Sequence, residues 1–319
     1  MFRRSMRSLP ILTAALLAAY SISLAQDGGY AGAYSRLGFG ARGMGMGNAM
    51  TAVSDGDLQT YYNPALAAFA SNHDVSASYD VLSLDRSLNF LSYTQSLPPT
   101  AGFSFGLINS GVSNIDGRDG DGVPTGPLTT TEDQVYLAFA NRMTDRFSVG
   151  GAIKLYYGKL YDQITSTTVG FDIGVYYQLT EQLSIGGALQ DIGSKYSWNS
   201  QSLYQENGTT QTDDFPTLRR IGASYDLDHH LILAADYENS SDGSDVMRFG
   251  GEYRFVQYFT VRAGIDRVEF SSNSAGAKPT FGFTVSNPMG MFTPELTYAY
   301  VFEPFAPAGM DVLTLSALF

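Results

Sequence analysis

Side chains able to do chemistry gather in two places in this 319-residue chain. The first is Asn114-Ile115-Asp116-Gly117-Arg118-Asp119-Gly120-Asp121-Gly122, the densest acidic stretch. Asp interleaved with Gly can wrap Ca²⁺, which takes about six to eight oxygen ligands. Here Arg118 interrupts the ligand spacing, and no bidentate Glu follows where an EF-hand needs one. The run reads equally well as a solvated loop, so no metal is assigned to it. The second group is Arg248, Glu252, Arg254, Arg262 and Asp266, joined by Asp172, Asp226, Asp236 and Glu238. These charges sit on the polar face of alternating segments, where they can pair with one another, with water or with a segment packed beside them.

Catalytic chemistry finds little support. The chain has no cysteine and three histidines, His73, His229 and His230. Thiol chemistry, disulfides and a His-rich metal centre are therefore not expected. Ser and His occur at no spacing that suggests a triad. The sequence calls for no enzyme and no cofactor.

The elements that carry these charges are strands. Period-2 alternation recurs along the chain. One segment sets Val169, Phe171, Ile173, Val175 and Tyr177 against Gly170, Asp172, Gly174 and Gln178. Others set Phe147, Val149, Ile153 and Leu155 against Ser148, Gly150, Ala152 and Lys154, or gather Phe259, Val261, Ala263 and Ile265 on one face. The second face is small and polar but sparsely charged, which suits a confined lumen better than an open soluble surface. Fourteen segments are predicted, at roughly 74–84, 87–96, 101–111, 132–142, 146–160, 166–179, 182–196, 218–227, 231–239, 246–255, 259–269, 278–286, 294–302 and 310–319. The segments 87–96 and 101–111 alternate poorly, which leaves twelve as the alternative count.

The connections sort by length. Met143-Thr144-Asp145, Thr180-Glu181, Asp228-His229-His230 and Val256-Gln257-Tyr258 are short. Val112 to Thr131, Ser197 to Thr217, Ser240 to Asp245 and Ser271 to Ala277 are long and polar, and they fall on the opposite rim. Short periplasmic turns facing long external loops are the pattern of an outer-membrane barrel. Tyr156, Tyr157, Tyr176, Tyr177, Tyr298 and Tyr300, near strand ends, read as interfacial girdle residues.

Met1 to Ala25 reads as an export signal, with Arg3, Arg4 and Arg7 before a mainly apolar stretch and Ser23-Leu24-Ala25 as the cleavage rule. The apolar stretch is short for a bilayer helix. The formal net charge is −12, and removing the leader's arginines makes it more negative. That argues against nucleic-acid partners, which require clustered Lys and Arg. The final segment alternates up to Phe319, whose terminal aromatic position resembles the assembly signal of outer-membrane proteins.

Before the strands lies Leu37 to Ala70, with glycines at 38, 40, 43, 45 and 47 and no alternation. Asn48 to Ser54 could form about two helical turns. Asp55-Gly56-Asp57 reads as a turn or helix start, and Asn63-Pro64-Ala65 as a fixed bend. The order GARGMGMGNAMTAVSDGD followed by YYNPALAA resembles the N-terminal signature of the PorV/PorQ family of outer-membrane barrels. Its Asn-Pro-Ala step is similar to that in the hatch of FadL/TodX-type transporters of hydrophobic compounds. The resemblance marks Gly43, Gly45, Gly47, Asp55, Asn63, Pro64 and Ala65 as the hatch motif.

The expected architecture is thus an all-β transmembrane antiparallel barrel, with a signal peptide at 1–25, a Gly-rich, partly helical hatch at 26–72 and the barrel at 73–319. The expected location is the outer membrane of a Gram-negative cell, with outer-membrane lipid and the barrel-assembly machinery as partners. The resemblance implies a component of type IX secretion, meeting secretion components or cargo C-terminal domains. The alternative it implies is FadL-like uptake of hydrophobic small molecules. A small, polar lumen face would disfavour a greasy ligand pocket.

Overall fold

A computed structural model describes residues 30–54, 59–70, 73–269 and 276–319. The expected leader, Asp55 and most of the 271–277 connection lie outside the described residues. Sixteen strands follow one another: β1 (Asp74–Val81), β2 (Arg86–Leu97), β3 (Ala101–Arg118), β4 (Pro124–Thr144), β5 (Phe147–Tyr161), β6 (Ile164–Gln178), β7 (Leu183–Ile192), β8 (Lys195–Asn199), β9 (Thr210–Asp214), β10 (Leu218–Leu227), β11 (Leu231–Ser240), β12 (Asp245–Val256), β13 (Phe259–Glu269), β14 (Lys278–Ser286), β15 (Thr293–Val301) and β16 (Met310–Leu318). Fourteen of them close a barrel in sequence order, and β8 with β9 form a separate hairpin between β7 and β10. Closure is antiparallel and in register from Asp74↔Leu318 to Val81↔Asp311. No described helix is long and apolar enough to cross a membrane.

Each strand sorts its residues between lipid and lumen. In β6, Phe171, Ile173, Val175 and Tyr177 are exposed on the outer wall, while Gly170, Asp172, Gly174 and Tyr176 are buried inside. In β16, Leu313 and Leu315 point outward while Thr314 is fully buried. The weakly alternating segments are strands too, β2 and β3, paired over an unbroken run from Arg86↔Val112 to Leu97↔Ala101.

Two expectations need correction. Val112 to Thr131 is not an open loop: β3 and β4 pair onward to Arg118↔Pro124. The 21 residues of β4 are about 70 Å long at ~3.3 Å each. Even tilted by about 45°, they overshoot an apolar band of about 25 Å. The hairpin therefore stands above the long-loop rim, and only its tip turns freely. Likewise Ser197 to Thr217 contains paired strand, the far part of the β8–β9 hairpin.

Several register shifts interrupt the strand pairing, and two of them re-aim side chains in the lumen. An extra residue in β7 sits between the pairs Phe171↔Ile192 and Ile173↔Leu189. Another in β13 sits between Met247↔Val268 and Phe249↔Ile265. Asp191 and Arg267 there adopt positive φ of 60° and 61°. The result is two consecutive inward side chains, Gln190 with Asp191 and Asp266 with Arg267, where regular alternation allows one.

Candidate functional site: the hatch and the cavity above it

The lumen is filled by the described residues that precede β1, 30–54 and 59–70. Their elements are a 3-10 turn at Ala33–Arg36, α1 (Ala41–Gly45), α2 (Gln59–Tyr62) and a 3-10 turn at Pro64–Phe69. The helical piece lies at Ala41–Gly45; Asn48 to Ser54, where two helical turns were expected, makes only turns. Ala33–Arg36 lies near the long-loop rim, where Arg36 meets Asp242, and Pro64–Phe69 lies near the short-turn rim. The fit to the wall is tight: Ser76, Ser104, Ser148 and Thr314, inward on four different strands, are all fully buried.

Irregular backbone in a lumen needs hydrogen-bond partners, and the wall supplies them. Ala41 N–H donates to Thr314 Oγ1 at 2.8 Å. Thr280, Ser148 and Ser224 donate to the carbonyls of Gly45, Ala65 and Ala52 at 3.0, 2.9 and 2.6 Å. Gln190 Nε2 donates to Tyr61 O at 2.8 Å, an orientation that follows from the β7 bulge.

Asn63 ties the hatch together. Its Oδ1 accepts from Ala65 N–H at 3.1 Å, capping the turn that Pro64 opens. Its Nδ2 donates to Thr51 O at 2.9 Å and to the wall carbonyl of Val175 at 3.0 Å. In the glycine run, a methyl on Gly43 would lie 2.3 Å from Tyr62 Oη, and Gly45 packs beside Arg262 and Ala299. Gly47 has a φ of +59°, and a side chain there would lie 2.7 Å from Phe249 O.

Charges bind hatch to wall. Arg42 holds Glu252 through two nitrogens, at 2.8 and 3.1 Å, and Glu252 also takes Arg262 at 2.6 Å. Asn48 donates to Asp266 at 3.0 Å; Arg248 bridges Asp266 at 2.7 Å and Glu238 at 3.1 Å, and Glu238 takes Arg220 as well. Thr51 donates twice to Asp236, through its N–H at 2.9 Å and its hydroxyl at 2.6 Å. Of the predicted lumen charges, Arg248, Glu252, Arg262 and Asp266 thus meet in two adjoining networks, each touching the hatch. Arg254 is half-buried near the short-turn rim, and Asp226 there pairs with His229 at 2.7 Å. Lys154, between Asp172 at 2.7 Å and Asp191 at 2.8 Å, forms a third buried cluster.

The lumen is not polar all round. Phe39 and Tyr61 of the hatch pack on Phe90 and Tyr136 of β2 and β4, with ring centroids 4.4 to 6.4 Å apart. Leu88 and Ile108 complete this apolar sector. Two of the expected girdle tyrosines are also inside. Tyr156 donates to Asp191 at 2.5 Å, and Tyr176 meets Ser54 and Ser184 at 2.9 and 2.8 Å. Tyr157 and Tyr177 are the outward members of those adjacent pairs.

Above the hatch, at the long-loop rim, lies a cavity of about 370 Å³. Tyr34 and Leu37 of the hatch, Leu82, Val112 and Phe305 give it apolar surface, while Arg36, Arg86, Arg267 and Lys278 bring positive charge against Glu132 and Glu303. Arg36 is 8% exposed, and its Nη2 has no hydrogen-bond partner among the described residues; nor has Tyr34 Oη. Beside Arg36, the Asp242 carboxyl is held below the usual range: burial opposes this, but hydrogen bonds from the Ser244 N–H and hydroxyl and the Arg36 charge favour the ionised form. The other half of the mouth is covered by the β8–β9 hairpin, whose Tyr196 and Trp198 rings lie over Gly158, with Phe215 against Gly32.

The acidic run does not gather oxygens toward a common point. Arg118 pairs with Asp116 at 2.7 Å, and Asp119 Oδ1 accepts from the N–H groups of Asp121 and Val123, closing the hairpin tip. Phe319 stacks on His73 with centroids 5.6 Å apart and exchanges backbone hydrogen bonds with it. Arg42, Asn48 and Thr51 were missed as wall contacts because their partners lie about two hundred residues away. The one local signal was an arginine inside a run of glycine and methionine.

No family model and no curated protein matches the sequence. Solved structures do match. The monoaromatic hydrocarbon channel CymD is 14% identical, with a TM-score of 0.65 over 88% of this chain and 97% of its own. The toluene transporter TodX of Pseudomonas putida is 15% identical, at 0.61 over 88% and 96%. A FadL homologue of Pseudomonas aeruginosa is 12% identical, at 0.58 over 88% and 98%. At these identities the likeness speaks for the fold alone: the chain is an outer-membrane barrel of fourteen strands, shaped like the FadL/TodX-type channels.

Proposed function

We propose that this protein admits small, mainly apolar molecules across the outer membrane, with the hatch closing the lumen to ions. The observation that carries the reading is the cavity of about 370 Å³ seated directly on the hatch, apolar along one part of its wall and lined elsewhere by Arg36, Arg86, Arg267 and Lys278 with Glu132 and Glu303. Ligand pockets combine an apolar lining with a few polar groups that fix orientation, and this one has that composition. Arg36 and Tyr34, each with an unpartnered polar atom, suit a molecule with one anionic or hydrogen-bond-accepting end. The similarity to hydrocarbon channels supports the same direction. So does the aromatic sector formed by Phe39, Tyr61, Phe90 and Tyr136, where the sequence pointed to a small and polar lumen face.

The type IX secretion role implied by the PorV/PorQ resemblance finds no comparable feature in its favour, and uptake becomes the main reading. The test is uptake of radiolabelled monoaromatic compounds and of aromatic acids by cells with and without the gene. Faster entry with the gene, reduced by Arg36→Leu for the acids, is expected. Equal entry for every solute, together with cargo left unanchored in the mutant, would return the reading to secretion.

A further inference from the structure

Three pairs of glycines face each other across neighbouring strands: Gly150↔Gly174, Gly186↔Gly222 and Gly250↔Gly264. All six point into the lumen, and each pair meets one corner of the hatch. A methyl on Gly150 would lie 2.6 Å from Ala65 N, and one on Gly174 would lie 2.0 Å from Asn63 Oδ1. A methyl on Gly186 would lie 2.2 Å from Thr51 O; one on Gly222 would meet Asp236 Oδ1 of the wall at 2.1 Å and Thr51 Cβ at 2.8 Å. On Gly250 it would lie 2.3 Å from Met46 O, and on Gly264 it would lie 2.4 Å from Gly47 N. Most of these atoms are backbone, which cannot swing aside as a side chain can.

We infer that the three glycine pairs are sockets that hold the hatch backbone against the wall, so that the hatch stays in place as a fixed part of the lumen. Each socket sits beside a directed bond to the same corner. Asn63 donates to Val175 O, Thr51 donates to Asp236, and Thr280 donates to Gly45 O. Withdrawal would therefore break backbone contact and hydrogen bonds together at three corners. Gly102 of β3 adds a single glycine contact of the same kind, where a methyl would lie 1.7 Å from Ala67 O; at Phe39 and Tyr61 the hatch meets aromatic side chains of β2 and β4 instead, which can rotate about their own bonds without moving either backbone.

The sequence contains its own control. Each socket includes a Gly-Gly step: 150–151, 186–187 and 250–251. The second glycine faces outward, where a methyl meets its nearest neighbour at 3.6, 3.4 and 3.5 Å, ordinary contact. Alanine at the inner and outer positions changes strand propensity alike, so only the socket differs.

The test uses purified full-length protein in planar bilayers, with heat-modifiable migration as the check that the barrel is closed. Gly186→Ala with Gly250→Ala should raise the mean ion conductance at least tenfold, and Gly187→Ala with Gly251→Ala should leave it within twofold. Equal effects from the two sets would overturn the sockets. A second arm leaves every glycine intact. The chain has no cysteine, so Thr60→Cys with Ser104→Cys can lock the hatch by one disulfide, since the two hydroxyl oxygens that the sulfurs replace lie 2.8 Å apart. The expected result is that oxidation leaves low conductance and uptake unchanged. Uptake lost on oxidation and restored by reduction would show that the hatch must leave, and would overturn the inference. This last readout rests on the transport reading; the conductance readouts do not, so failure of either is distinguishable.

Discussion

Replacing Asn63 should unseat the hatch while sparing the barrel. The side chain is fully buried and makes three hydrogen bonds: one within its own turn, one to the hatch at Thr51 and one to the wall at Val175. Asn63→Ala leaves the Ala65 N–H without an acceptor and removes one donor from each of two carbonyls. Val175 keeps a place in the ladder through its pairing with Val149 and Gly187, so its loss is partial. An orphaned buried group costs about 1–3 kcal/mol. One full orphan and one or two partial ones give about 2–4 kcal/mol. At about 1.4 kcal/mol per tenfold, the undocked population rises roughly thirty- to eight-hundred-fold. Asn63→Asp makes a sharper test, because it keeps the size and the acceptor for Ala65. It also turns the donor into an acceptor facing two carbonyls, so it should be at least as damaging as Ala. The assay is the open fraction in single-channel recordings, with protease cleavage between residues 54 and 70 as a second measure. A wild-type open fraction for Asn63→Asp would refute this account of the residue.

Further outcomes follow from the same geometry. Arg42→Met and Glu252→Gln, singly and together, should give a coupling of about 1.5–3 kcal/mol in a double-mutant cycle on hatch release, the range for hydrogen bonds to charged groups; additivity would mean the pair does not hold the hatch. The Asp242 carboxyl has a folded value below its unfolded one, so its tie to Arg36 contributes fully above about pH 4, the unfolded value, and fades as pH falls through the lowered folded value. Asp242→Asn should therefore remove that acid-side loss in thermal melts of the hatch and leave neutral-pH behaviour of the barrel intact. Epitope tags after Asp119 or Asn207 should be reached by antibody on intact cells, and tags after Thr144 or His229 should not, since these pairs lie on opposite rims; the reverse labelling would invert the orientation.

How much of this was legible in the sequence depends on what each residue faces. The strands could be counted because lipid and lumen make opposite demands at every second position, as Phe171 and Asp172 illustrate. In β2 and β3 that contrast fails. Leu88, Phe90 and Ile108 point inward at the hatch aromatics, so apolar residues occupy both faces. The upper part of the β3–β4 hairpin fails for the opposite reason: both faces meet water, and Asp116 and Arg118 carry no sidedness. The hatch was visible as a compositional break, and Asn63-Pro64-Ala65 as a turn. The destination of Arg42 was not, because a contact with Glu252 depends on strand order, which no local window contains. Tyr156 and Tyr176 were misplaced since adjacent tyrosines in a strand cannot share a face, and type alone does not say which of them turns inward.

The bond from Ala41 to Thr314 joins residues 273 positions apart. Closing a flexible segment of that length costs about 5 kcal/mol in chain entropy, far more than one hydrogen bond returns. Most strand pairs, by contrast, join sequence neighbours through turns of a few residues. The hairpins therefore form first, and the earliest-synthesised part of this region docks last, once β16 has met β1. Pulse-labelled hydrogen exchange during refolding should show amides of the wall protected before those of residues 41–54. A mutation that slows closure of the seam would then appear first as an unprotected plug, far from the strand that was changed.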